Sequence, residues 1–108
     1  MIIDNHNNIL KIKPNNKNFI QSFNIDLFQT KYKNHDVILL IDFIIDSNLI
    51  DFINNWTKIL KKNSNYLIVV VDLIDEYLLK NKSIIFVPTL KEAIDFIELE
   101  KINKDLRS

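Results

Sequence analysis

The sequence contains neither cysteine nor glycine. Without cysteine there are no disulfides, no thiolate metal sites and no sulfur nucleophile. Without glycine, no residue lacks a Cβ, which phosphate-binding loops, the dinucleotide fingerprint and the Gly-x-Ser-x-Gly nucleophile elbow need for tight turns or close backbone approach. Turns at positive φ must fall to asparagine, the next most tolerant type, and the expected loops are rich in it. An excess of charge is missing too: 14 basic residues balance 14 acidic ones, so no global field draws the chain to nucleic acid or anionic lipid. The local clusters Lys11/Lys13/Lys17 and Lys58/Lys61/Lys62 are short and read as solvated faces, so nucleic acid is not expected as a partner. The longest apolar stretches, Val37 to Ile41 and Tyr66 to Val71, are far too short to cross a bilayer. Met1-Ile2-Ile3-Asp4-Asn5 shows no basic segment leading into a long apolar run, so a signal peptide is not expected. No membrane partner is expected either, and the cytoplasm is the expected location.

What the chain does have is enough apolar material for one core. At 108 residues, 47% hydrophobic and 26% charged, it has the balance of a single globular domain. Isoleucine, asparagine and lysine dominate, against one Ala and one Arg, which suggests an AT-rich genome. Surface Asn and Lys identities therefore say little about function.

Residues 1–3 and 9–13 are short β-like runs around Asp4-Asn5-His6-Asn7-Asn8, which reads as a hairpin, and Pro14 ends the second run. Phe19, Ile20, Phe23, Leu27 and Tyr32 recur at helical spacings, predicting a helix over 17–32, with Asn24 and Thr30 as weak points. Val37 to Ile41 is continuously apolar, as in a parallel strand covered on both faces. Asp46 or Ser47 then caps a helix to about Lys62. Its apolar side is Leu49, Phe52, Ile53, Trp56, Ile59 and Leu60, opposite Asp51, Asn54 and Lys58. Tyr66 to Val71 reads as the next buried strand, Asp72 as the cap of a short helix carrying Ile74, Tyr77 and Leu78, and Ser83 to Val87 as a last strand. Thr89-Leu90-Lys91-Glu92 is a capping box, opening a final helix whose core stripe is Leu90, Ala93, Ile94 and Ile97. The order β-β-α-β-α-β-α-β-α predicts a single α/β domain over 1–108, with an N-terminal hairpin on a mixed sheet whose later strands are parallel.

This order, with Val37 to Leu60 and Val87-Pro88-Thr89-Leu90-Lys91-Glu92-Ala93, resembles the STAS domain, the sulfate-transporter and anti-sigma-factor-antagonist fold. STAS chains commonly end with a strand, a Thr-x-x-Glu-Ala helix start and an amphipathic helix. In many, Asp-Ser-Ser-Gly follows an inner strand and its first Ser is phosphorylated. Here Asp46 and Ser47 match; Asn48 and Leu49 stand where the motif has its second Ser and its Gly. The resemblance implies a non-catalytic protein-binding or regulatory module, with Ser47 as the candidate phosphosite. The tail Val87 to Leu106 looks more specifically like a group of short bacterial STAS-like proteins, some labelled ribonuclease Z. That label carries the alternative function, a metal-dependent RNA hydrolase or its accessory subunit. Such an enzyme needs a His-x-His-x-Asp-His cluster, whereas this chain has only His6 and His35. No catalytic residue, metal ligand or cofactor is assigned.

Four further sets of residues bear on function. Asp42, Asp46, Asp51 and Asp72 fall near strand ends, where open α/β sheets bind ligands and an acid cluster could hold Mg²⁺; the favoured reading is Asp46 and Asp72 as helix caps and Asp51 as a solvated first-turn acid. His6 and His35 read as exposed loop residues. Ser47 is either a cap or a switch, where a phosphate would add about −1.5 to −2 charge at a helix N-terminus. Last, Phe96, Leu99, Ile102 and Leu106 lie away from the core stripe of the final helix, counting about 100° per residue. They either pack on the chain's own N-terminal helix or form a surface for a protein partner or for self-association.

Overall fold

A computed structural model describes residues 2–107. The chain opens with β1 (Ile2–His6) and β2 (Ile9–Ile12), antiparallel and joined by the two-residue turn Asn7-Asn8. Met1, the expected first residue of that strand, lies outside the described residues. Both turn residues have positive φ, 53° and 63°, the condition for a two-residue hairpin whose twist matches its strands. With no glycine in the chain, asparagine makes this turn, and His6 is the last residue of β1 rather than a turn residue.

A 3-10 turn over Lys17–Gln21 and a short helix α1 (Ile25–Lys31) follow. The single helix expected over 17–32 is thus split in two. The cause is local: the Asn24 side chain accepts from the N–H of Leu27 at 3.1 Å, as an N-cap, and Asn16 does the same for Asn18 at 2.9 Å. Both side chains compete with a continuous helix for backbone donors. The break lets Phe23 meet Trp56, with ring centroids 4.9 Å apart, and Phe19 meet Phe52 at 5.5 Å.

β3 (Asp36–Leu40) leads to α2 (Ser47–Lys62), capped by Asp46, whose carboxylate accepts from the Leu49 N–H at 2.9 Å. α2 ends in a Schellman motif: Ser64 N–H donates to Lys61 O and Asn65 N–H to Leu60 O, both at 3.0 Å, with Ser64 at φ 62°. β4 (Leu67–Val70), α3 (Glu76–Leu79), β5 (Ile85–Val87) and α4 (Leu90–Arg107) complete the chain. Asp75, not Asp72, caps α3, accepting from Leu78 N–H at 3.0 Å. Thr89 Oγ1 accepts from Glu92 N–H at 3.2 Å, so α4 starts where its capping box places it.

The five strands lie in sequence order, β1-β2-β3-β4-β5, and only the first pair is antiparallel. Each parallel crossover therefore steps the same way across the sheet. With the usual right-handedness, the three connecting segments fall on one face. The packing agrees. Leu10, Val37, Leu39, Leu67 and Val69 meet Ile25, Phe28, Leu49, Trp56 and Leu78 in one core. Ile9, Ile38, Ile68 and Val70 meet Ala93 and Ile97 of α4 in a second core on the other face. The expected stripe on α4 thus faces the sheet. Among the described residues, no helix is long and apolar enough to cross a membrane.

Candidate functional site

In an open parallel sheet the loops after the strands gather at the C-terminal edge, where ligand sites form. Here the two central loops follow one local plan. Ile41 and Val71 each extend the ladder by a hydrogen bond, to Val70 O at 3.0 Å and Val87 O at 3.1 Å, and both are buried. An exposed aspartate follows each, Asp42 and Asp72. Apolar residues come next: Phe43-Ile44-Ile45 in one loop, Leu73-Ile74 in the other. A capping aspartate then closes each, Asp46 at φ −94°, ψ 179° and Asp75 at φ −95°, ψ 179°.

Between these loops runs an open groove of about 330 Å³, floored by Ile41, Ile45, Val71 and Leu78 and flanked by Ile44, Leu73 and Tyr77. Ile45 and Leu78 are buried, but Ile44 is 86% exposed and Leu73 77%. Neighbouring apolar side chains held out on capped loops cost free energy in water, and such patches mark interaction sites on soluble domains. Ile44 and Leu73 are not among the candidates expected from sequence. A signal was present in the paired strings Asp42-Phe43-Ile44-Ile45-Asp46 and Asp72-Leu73-Ile74-Asp75, one after each inner strand.

One end of the site is charged. Lys13 pairs with Asp42 at 3.8 Å and Lys17 with Asp46 at 3.3 Å. The Leu49 N–H, and after it Lys17, hold the Asp46 carboxyl below its ordinary range. A second cleft runs along Lys17, Phe43, Ile44 and Asp46, making Asp46 and Ile44 part of its wall. Ser47, next in the chain, is exposed in the first turn of α2. It is therefore not the cap; Asp46 fills that role, which leaves the Ser47 hydroxyl in solvent beside the groove.

The other candidates lie elsewhere. Asp51 is exposed on α2, and Lys11 pairs with Asp4 at 3.3 Å. His6 is exposed, but His35 is partly buried, against the expectation. Its Nδ1 lies 2.8 Å from Lys33 O, and its ring meets the Tyr32 ring edge-on at 5.6 Å. Among the described residues, no three His, Cys, Asp or Glu side chains come together in a group that could hold a metal ion.

The four residues set apart on α4 do not stay together. Leu99, Ile102 and Leu106 are exposed, at 57%, 55% and 80%. Phe96 is instead partly buried, packed on the second core with its ring edge-on to Tyr66 at 5.8 Å. The reason is rotation: Phe96 sits about 100° from Ile97 around the helix, at the flank of the buried stripe rather than opposite it. The exposed three do not pack on the N-terminal helix, since α1 and α4 belong to opposite faces of the sheet.

Comparison with protein-family models, with curated proteins and with solved structures finds no match for this chain.

Proposed function

We propose that the chain is a non-catalytic protein-binding module of STAS type, acting in the cytoplasm. Its binding edge is the groove between the β3–α2 and β4–α3 loops, and phosphorylation of Ser47 releases the partner. The observation that carries this reading is the exposure of Ile44 and Leu73 on two loops of like construction that flank one groove. Support also comes from the motif match at Asp46-Ser47 and from the Thr89-to-Ala93 helix start. The exposed acids Asp72, Asp75 and Glu76 all lie on the β4–α3 side of this edge, so the segment that binds is apolar where it meets the β3–α2 loop and basic only at its other end. A phosphate on Ser47 would add about −1.5 to −2 charge beside Asp46 and compete with it for Lys17. Such a group must shed its water against the apolar end of the segment, which lies on the β3–α2 loop, and the helix stays folded because its N-terminus tolerates an anion.

The test is capture from a lysate of the native cells on immobilised wild type, Ile44→Asp/Leu73→Asp, Ser47→Ala and Ser47→Asp. Far-UV circular dichroism and melting check each fold. The double variant should stay folded, since exposed positions shift stability by only about 0.5 kcal/mol, and should lose the protein that wild type retains. Ser47→Asp should lose it as well, and Ser47→Ala should keep it. Retention by the double variant contradicts the groove; equal capture by all three Ser47 forms contradicts the switch.

A further inference from the structure

Leu99, Ile102 and Leu106 follow one another at spacings of three and four, so they form a single stripe. They lie opposite Ala93 and Ile97, which α4 buries against the sheet. The charges around the stripe are sorted by the fold. Lys101 turns inward to Asp36 at 3.4 Å. Lys104 turns inward as well, donating to the Ser64 carbonyl and lying 4.6 Å from the Tyr66 ring centroid. Lys91 is taken by Asp95 at 3.0 Å. Glu92 and Glu98 remain exposed beside the stripe. Among the described side chains, Lys101 and Lys104 thus face the body of the domain, and the exposed acids Glu92 and Glu98 border the apolar stripe.

We propose that this face docks an amphipathic helix from another protein, one whose apolar stripe is bordered by Lys or Arg. Charge complementarity selects that occupant, because a basic border meets the rim and an acidic one is repelled. A second copy of this chain fits poorly, since two copies would set one acidic rim against another. The site is separate from the groove. It lies on the other face of the sheet, and Lys101 and Lys104 anchor its end of α4 at Asp36, the first residue of β3, and at Ser64, before β4, whereas Ile44 and Leu73 follow those strands. The domain can therefore hold two partners at once.

The probe is a synthetic helical peptide with leucines spaced by three and four and lysines on their flanks; a control peptide carries glutamate at each lysine. Both are titrated into the full ¹⁵N-labelled chain and followed by amide chemical shifts. The lysine peptide should move amides of 98–106 and leave 41–47 and 71–78 unmoved, and its binding should weaken severalfold with added salt, as screened charges require. The glutamate peptide should not bind. Leu99→Ser/Ile102→Ser should keep the remaining amide spectrum and weaken lysine-peptide binding about tenfold or more. Equal binding of both peptides, no binding of either, shifts centred outside α4, or unchanged binding by the double variant would each overturn the proposal. Concentration-dependent dimerisation of wild type that the double variant abolishes would overturn it too, by making the occupant a second copy.

Discussion

Asp36 is only 2% exposed, and its surroundings explain how a carboxylate is held there. It accepts from the Tyr66 N–H at 2.8 Å and from Asn65 Nδ2 at 3.2 Å, and it faces Lys101 at 3.4 Å. It thus ties the starts of β3 and β4 to α4, and its charge is both hydrogen-bonded and paired, as burial demands. Nothing in the sequence separates Asp36 from the other aspartates, because its partners lie about thirty and more residues away. Ser64 is the opposite case, a residue whose cost is local. It holds the left-handed position of a Schellman motif that glycine usually fills, at φ 62°. A non-glycine residue there costs about 1–2 kcal/mol, and glycine gives back part of that gain through its more flexible unfolded state. Ser64→Gly should therefore raise stability by about 0.5–1 kcal/mol, read as a higher denaturant midpoint with unchanged slope. A lower midpoint would mean that the Ser64 side chain supports the turn.

At the scale of elements, the strands and the two long helices were legible because burial and period agree. Val37 to Ile41 and Tyr66 to Val71 are apolar on both faces, and α2 keeps Leu49, Ile53, Trp56 and Leu60 on one side, all fully buried. The break near Asn24 was legible only as a weak point in one helix, for a compositional reason. Asparagine is so common here that a capping Asn cannot be told from a surface one. The same blindness hid Ile44, since exposed isoleucine is unremarkable in an isoleucine-rich chain. It also placed the α3 cap three residues early, because Asp72 and Asp75 are equally good caps by type. The start of α4 suffers no such ambiguity: the chain has only three threonines, and the one at 89 accepts from Glu92 N–H. Thr89→Ala should cost about 1 kcal/mol, and Thr89→Ser much less, as caps do. The denaturant midpoint measures it, and an unchanged midpoint in the Ala variant would show that this cap does not hold α4.

Across the whole molecule, strand order does most to place the groove and the outer face of α4. Because the strands add in sequence, α1, α2 and α3 share one face and α4 covers the other alone. The inner loops are thereby brought side by side at one edge, and the outer stripe of α4 is left without a neighbouring helix. The α/β class and this element order followed from pattern. The groove did not, because it exists only once β3 and β4 are paired in register, with Leu40 beside Val70. On the function proposed above, a protein partner sits on that groove. Hydrogen–deuterium exchange of the captured complex, against the free chain, tests it most directly. Protection should appear in peptides covering 41–47 and 71–78, and should vanish when Ser47 is phosphorylated. A footprint that leaves both loops as exchangeable as in the free chain would rule the groove out as the binding edge.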